Sequence, residues 1–397
     1  MLLNKVLINN ANPKEKKRKH LNYISFLKFI SMIVIISWHI FPFKSKPIDL
    51  GIRMCEFLFI SSGFLVGYNH YEISMPPTFH QSFNYAYKSF RLFYPLILIN
   101  IIFNISLNNR FKIKNMNITE IELLLANIFM VKSWGPVFVA FSFNGLSWFL
   151  CCLLFCYFMT PLLLCGIQTL RGSIILFLLF ALIRISLEEF IIKGGYNILN
   201  CQFHVGPVIR CIEYYLGMLL IPLFFIIKYY LDKFNKKILF IILFTIFQIV
   251  LPISFYFFML KYDKIIYRCY FVLIYCLLIP IISFDYGYLS YLFSLKYFKK
   301  IMSYQLEMYL FQLNVNDLII KIMIFKKWKF PPRELFFFIR LLIIFLFALI
   351  YKNLFKEPFA KILDKIINLI KKLLCEGKKK DSYIFDSELI LNKNNIY

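Results

Sequence analysis

The fold is decided by the stretch KFISMIVIISWHI, residues 28–40, an apolar run with a lysine at its start and a histidine near its end. Lys28 and His39 are eleven residues apart. On a helix this separation is three turns plus about 20°, so both side chains project from the same face, about 16 Å apart along the axis. Ionisable groups inside a spanning helix are costly and usually face the protein interior. The stretch therefore predicts a membrane helix whose inward face carries chemistry.

Composition supports a membrane protein along the whole chain. Hydrophobic residues make up 60% of the sequence and charged residues 17%, whereas soluble domains average about half and about a quarter. The formal charge of +25 is concentrated near the two ends, around residues 13–20 and from Lys352 onward. Basic flanks of this kind follow the positive-inside rule and attract anionic lipids, so we expect a bilayer and no nucleic acid as partner.

Ten apolar segments are candidates for crossing a hydrocarbon core of about 30 Å, which takes about 20 helical residues. They are 24–43, 52–68, 90–107, 146–165, 173–192, 206–227, 238–259, 267–284, 301–323 and 334–355. We therefore expect an all-α polytopic membrane protein with about ten transmembrane helices and no soluble catalytic domain. Its parts are a basic N-terminal segment (1–23), a membrane domain (24–355) and a basic C-terminal tail (356–397). An even number of spans places both termini on one side, the cytoplasm.

Lys28 and His39 of the first span lie at different depths in the bilayer, which suits two different roles. With the N-terminus inside, Lys28 lies near the cytoplasmic face and His39 about 22 Å into the span. An imidazole exchanges a proton easily near neutral pH, which makes His39 a candidate general base. The alternative is a histidine that bonds a neighbouring helix for packing alone.

The second and third spans add charged and small residues. Arg53 and Glu56 are three residues apart and can pair on one helix face. Ser62 precedes a glycine, which indicates either a site or a notch where two helices approach closely. Lys88 and Arg91 flank the start of the third span. They are either positive-inside anchors or a grip for the phosphates of a nucleotide-like donor.

Later spans carry further polar groups inside apolar runs. Arg210 and Glu213 follow a helical spacing and we expect them to pair, either as a structural ion pair or as part of a site. In the ninth span, Glu307 and Gln312 should be hydrogen-bonded inside the bundle. The ten cysteines lie mostly in apolar runs without the spacing of zinc ligands, and we predict no metal site.

The first of these segments resemble, in order, the integral-membrane acyltransferase family that O-acylates bacterial surface polysaccharides, often called acyltransferase family three. Members begin with a basic residue, ten intervening residues and a histidine, matched by Lys28 and His39 with lysine in place of the more usual arginine. EFLFISSGFL, which begins at Glu56, is similar to the family's EFFFxxSGFL. Lys88 and Arg91 match a basic K/R-x-x-R-L-x-P element, with one extra residue before the proline.

Three later segments continue the resemblance. NGLSWFL, which contains Trp148, is similar to the family's Trp-Tyr/Phe-Leu segment. RCIEYYLGMLL, which begins at Arg210, resembles its Arg-x-x-Glu-Phe-x-x-Gly-x-Leu helix. EMYLFQ, residues 307–312, is similar to a late EIYLxH/Q segment, with glutamine where many members have histidine.

The resemblance implies an enzyme of the bacterial cytoplasmic membrane that takes an acyl group, usually acetyl from acetyl-CoA, on the cytoplasmic side. It delivers that group to a hydroxyl of a surface glycan on the other side. His39 would be the general base or a transient acyl carrier, and Glu56 would orient it. Lys28, Lys88 and Arg91 would bind the acyl-CoA, which is the donor substrate and not a resident cofactor. The supporting residues would be Ser62, Trp148, Arg210, Glu213, Glu307 and Gln312.

Two other functions remain open from the sequence. Polysaccharide flippases and other carriers also have ten or more spans and intramembrane charges. They more often show two similar halves with interrupted helices, and no such repeat is visible here. The second alternative is a catalytically inactive relative, which the lysine at position 28 allows. The acceptor sugar, the acyl chain and the oligomeric state are not specified by the sequence.

Overall fold

The computed structural model describes residues 20–40, 50–71, 77–107, 118–193, 204–234, 238–261, 268–329 and 331–376. Throughout this part of the chain, every regular element is a helix. Most of the predicted basic N-terminal segment, and the last part of the predicted tail from 377 onward, lie outside the described residues.

Thirteen of the described helices have eleven or more residues, and we number these along the chain. They are α1 Asn22–Ile40, α2 Leu50–His70, α3 Phe79–Leu107, α4 Ile118–Ile128, α5 Trp148–Cys165, α6 Leu170–Lys193, α7 Pro207–Leu219, α8 Ile221–Leu231, α9 Ile238–Lys261, α10 Arg268–Ile282, α11 Gln305–Phe325, α12 Arg333–Ile350 and α13 Lys356–Glu376.

The expectation of an all-helical membrane protein is confirmed. In the described ranges, eight helices are long and apolar enough to cross a bilayer: α1, α2, α3, α5, the combined α7–α8, α9, α11, and the run Glu334–Leu369 that joins α12 to α13. The predicted spans 173–192 and 267–284 correspond to α6, which is outside this set, and to α10, whose apolar part is the shorter segment Tyr270–Ile282. The count of ten stays a prediction.

Helix α2 forms the centre of the bundle and α9 its periphery. Within α2, 78% of the span residues are buried, against 11% in α9. Leu239, Ile246 and Phe257 of α9 are all exposed. A helix that is apolar all round and exposed is typical of one that faces lipid. The polar side chains Arg53, Glu56 and Ser62 on α2 are therefore enclosed by protein.

Helices α2 and α7 cross with their backbones in contact. A side chain at Gly63 would overlap the carbonyl oxygen of Tyr214, and one at Gly217 would overlap the carbonyl oxygen of Ile60. Glycines let helix backbones approach this closely in membrane proteins. Of the two interpretations of this segment, the close approach of helices is found at Gly63, and it sets the polar residues of the two helices side by side.

A buried lysine fixes the segment that leads into α5. Lys132, in a short 3-10 turn, donates from Nζ to Asn127 Oδ1 at 3.0 Å and to the carbonyl oxygens of Ser142 and Asn144 at 3.0 and 2.8 Å. Burial lowers the pKa of Lys132 to about 8, so the ammonium stays protonated at pH 7. Asn144 in turn donates to the carbonyl oxygen of Leu310 at 3.0 Å. These bonds tie the start of α5 to α11.

Candidate active site

Three arginine and three glutamate side chains from three helices form a buried cluster near the start of α7. We call it the charge cluster: Arg53 and Glu56 on α2, Arg184 and Glu188 on α6, and Arg210 and Glu213 on α7. None of the six is more than 5% exposed. Three guanidinium groups face three carboxylates, so the cluster is neutral overall, as burial of so many charges requires.

The two pairs predicted from the sequence are each formed within a single helix. Arg53 Nη1 lies 2.7 Å from both carboxylate oxygens of Glu56. Arg210 Nη1 donates to Glu213 Oε2 at 2.5 Å. Both pairs have the spacing of three residues that places side chains on one helix face. Their prediction from the sequence is confirmed.

Arg184 of α6 joins the two pairs into one network. Its Nε and Nη2 donate to Glu213 Oε1 at 3.0 and 2.9 Å, and its Nη1 donates to Glu188 Oε2 at 2.7 Å. Nη2 also lies 3.4 Å from Glu56 Oε1. Arg53 approaches Glu188 at 3.8 Å. Sequence reasoning missed the two α6 residues, although their spacing of four in an apolar helix is itself the signal of an inward-facing pair.

A neutral histidine and a tryptophan complete the site. Arg210 Nη2 lies 2.5 Å from His204 Nδ1, and Arg210 Nε donates to the His204 carbonyl oxygen at 2.7 Å. Because guanidinium groups only donate, Nδ1 accepts and the ring proton is on Nε2. Burial, together with the positive charge of Arg210, holds the pKa of His204 well below its usual value. The Trp148 ring lies 5.0 Å from the His204 ring and 5.8 Å from the Arg210 guanidinium carbon.

Lys28 and His39, at the two ends of the stretch 28–40, lie on either side of the charge cluster along α2. Lys28 Nζ donates to Ser62 Oγ at 3.0 Å, so the lysine turns towards α2. His39 is in the last turn of α1, half-buried, with its ring edge-on to Trp38 at 4.7 Å. Trp38 packs against the start of α2 at Gly51. Glu56 therefore lies along α2 between the levels of His39 and Lys28. Its described hydrogen bonds go to arginines.

The other predicted donor-binding residues lie elsewhere. Lys88 is exposed on α3. Arg91 pairs with Asp364 of α13 at 3.5 Å. Glu307, at the start of α11, accepts from Lys356 at 3.0 Å. Helices α3 and α11 thus contact the C-terminal helix α13 through Arg91 and Glu307. The segments around Lys28, Glu56 and Arg210, by contrast, meet one another.

On one face of α11, several buried side-chain amide atoms have no hydrogen-bond partner among the described residues. Gln312 is 1% exposed, and within the described ranges neither its Oε1 nor its Nε2 has a hydrogen-bond partner. Gln305 Oε1 and Asn316 Oδ1 also have no hydrogen-bond partner there. Their spacing from Gln312 places all three residues on one face of the helix. The hydrogen bonding expected for Gln312 is therefore not found among the described residues, whereas Asn314 of the same helix donates to Asn100 Oδ1 at 2.9 Å. Buried amides of this kind are suited to water or to a hydroxyl-bearing ligand.

A cleft of about 200 Å³ opens beside the start of α7, lined by residues that include Ser133, Trp134 and Pro207. It lies one helical turn from Arg210. The Ser133 hydroxyl also donates to the carbonyl oxygen of Trp148 at 3.0 Å. The cleft is therefore next to the Trp148 end of the site.

Comparisons of the chain with protein-family models, with curated proteins and with solved structures give no match. Among the described residues, no group of three or more His, Cys, Asp or Glu side chains is arranged to hold a metal ion.

Proposed function

We propose that the chain is a membrane O-acyltransferase that moves an acyl group, acetyl from acetyl-CoA, from the cytoplasm to a hydroxyl of a surface glycan. One observation carries this proposal. Residues of three separate segments that resemble one family (Glu56, Trp148, and Arg210 with Glu213) meet at the charge cluster, and Lys28 of a fourth segment contacts Ser62 on the same helix as Glu56.

The proposed architecture is a bundle of ten spans in the bacterial cytoplasmic membrane, with the basic ends on the cytoplasmic side and the chemistry inside the membrane domain. In it α6 and α10 also cross the bilayer. The burial of Arg184 and Glu188 against α2 and α7 supports an inner position for α6.

In the proposed reaction His39 removes the proton of the glycan hydroxyl, whose oxygen attacks the carbonyl carbon of the thioester. The new C–O bond forms, the C–S bond breaks, and the CoA sulfur leaves and takes up the proton. Lys28 attracts the donor phosphates from the cytoplasmic side, with Lys88 and Arg91 on the approach. The charge cluster fixes α2, α6 and α7 so that the two substrates meet at one level. In the two-step alternative, His39 carries the acyl group transiently.

The test uses membranes that contain the full chain, acetyl-CoA labelled in the acetyl group, and glycan from the host surface. The unmodified chain should transfer label to the glycan. His39→Ala should reduce transfer by roughly 10²- to 10⁴-fold, the usual contribution of a general base. His80→Ala is the matched control, because His80 is exposed on α3 and bonds to Asn84 one turn along the same helix. Label transfer that survives His39→Ala would refute the proposed role.

A second pair of variants tests the donor side. Lys28→Arg should retain activity because it keeps the charge, and Lys28→Glu should lose it because the donor phosphates are anionic. Equal activity of the two variants would remove Lys28 from the mechanism. Glycan crossing without any label would favour a carrier instead.

A further inference from the structure

In the part of the C-terminal helix α13 whose side chains are described, residues 356–369, one face is docked on the bundle. Ala360 is fully buried, and Asp364 accepts a hydrogen bond from the Tyr87 hydroxyl at 2.9 Å and pairs with Arg91 at 3.5 Å. At its first residue, Lys356 pairs with Glu307 at 3.0 Å. The predicted basic tail thus begins with a helix held against α3 and α11.

A second face of α13 is apolar and exposed. It consists of Phe359, Ile362, Ile366 and Leu369, which are 36–57% exposed. Their spacing of three, four and three residues places them within an arc of about 80° on the helix. We call these four residues the apolar stripe. A soluble surface would not favour four large apolar side chains in one row, so the stripe indicates a partner.

A row of lysines lies beside the apolar stripe. Lys361 and Lys365 are both exposed. On the helix they lie between the stripe and the docked face, and Lys365 is about 40° from Leu369. A lysine next to an apolar stripe can extend its ammonium group to lipid phosphates while its methylenes stay with the acyl chains. This arrangement is typical of a helix that lies in a membrane interface.

The position of α13 in the chain points to the same partner. The helix follows α12 directly, through a single π-helical stretch Tyr351–Phe355, in a run that is apolar enough to span a bilayer. Lys352, in that stretch, donates to the carbonyl oxygen of Ser303. Ser303 follows the basic segment 296–300 closely in sequence. So many cations at one end of the bundle indicate the cytoplasmic leaflet, whose lipids are anionic.

We propose that α13 binds the anionic lipids of the cytoplasmic leaflet, with the apolar stripe at the boundary between headgroups and acyl chains and with Lys361 and Lys365 on the lipid phosphates. A second copy of the chain fits less well, because the lysine row beside the stripe would face its own like charges. This inference does not depend on the acyltransferase proposal.

The test is hydrogen–deuterium exchange of the full chain, one chain per nanodisc, in phosphatidylcholine alone and in phosphatidylcholine with phosphatidylglycerol. Amides of residues 359–369 should exchange on the order of tenfold more slowly in the anionic discs, because two lysines bind the surface there. The variant Lys361→Glu with Lys365→Glu should abolish the difference. The matched control, Lys326→Glu with Lys329→Glu, changes two exposed lysines far from α13 in sequence and should preserve it.

High ionic strength gives a check that needs no variant. In anionic discs it should speed exchange of residues 359–369 in the unmodified chain, because salt screens exposed charges. Equal exchange in the two lipids, with no response to salt, would overturn the proposal. Protection that occurs only in discs with two chains would overturn it in favour of a dimer contact.

Discussion

Replacing Arg184 by methionine removes one of the three guanidinium groups of the charge cluster and leaves three buried carboxylates. Glu56 and Glu213 keep the arginine three residues before them on their own helices. Among the described residues, Glu188 keeps only Arg53, at 3.8 Å. Removing one partner of a buried ion pair costs roughly 3–5 kcal/mol, because the other charge remains buried without compensation. We expect Arg184→Met to lower the free energy of unfolding by about this amount.

A second change tests whether charge balance is the cause. In the double variant Arg184→Met with Glu188→Gln, two guanidinium groups face two carboxylates, and the pairs on α2 and α7 remain. We expect it to recover at least half of the loss. Arg171→Met is the matched control, since Arg171 is exposed in the first turn of the same helix and should change stability by less than about 0.5 kcal/mol.

The assay is equilibrium unfolding of the purified chain in mixed micelles with increasing dodecyl sulfate, followed by tryptophan fluorescence. Two results would refute the reasoning. One is a loss below about 1 kcal/mol for Arg184→Met, which would give the buried pairs only the value of exposed ones. The other is a double variant no more stable than the single one, which would show that lost packing and not unbalanced charge causes the effect.

Three further predictions concern the surroundings of the site. Gly63→Ala should abolish monodisperse protein in size-exclusion chromatography, because the new methyl group overlaps the Tyr214 carbonyl oxygen, whereas Gly145→Ala, with its nearest atoms at 3.5 Å, should not. Lys132→Met should lower the free energy of unfolding in the same dodecyl sulfate titration by roughly 1–3 kcal/mol, since three buried acceptors lose their donor, and an unchanged midpoint would contradict this. The pKa of His204 is lowered in the folded state, so the unfolded chain binds the proton more readily, and stability should fall as the pH drops below 6.5. The melting temperature should therefore decrease from pH 7 to pH 5. In His204→Asn this decrease should be smaller.

The parts of the site that were predictable from sequence are those made by near neighbours. The Arg53–Glu56 and Arg210–Glu213 pairs follow from a spacing of three residues in an apolar helix, which any helix brings together. Arg184 contacts Glu213 and Glu56 across 29 and 128 residues of chain. No periodicity encodes those contacts, because they depend on how α6 packs against α2 and α7.

The prediction for the C-terminal tail was incomplete for a different reason. The many lysines after residue 352 indicate a basic tail, but Phe359, Ile362, Ile366 and Leu369 also have an amphipathic spacing. That part of the chain folds back on α3 as a helix, and it brings Asp364 to Arg91. A local pattern shows that a helix has an apolar face, but not which element the other face meets.

The backbone contact of α2 and α7 has a mechanical consequence. With glycine at each crossing point and no side chain to act as a spacer, neither helix can slide or rotate past the other without a clash at Tyr214 or Ile60. We therefore expect the two helices to move together. For the proposed reaction, we therefore expect a substrate to enter by displacement of neighbouring helices, such as α1, which carries His39 at its end.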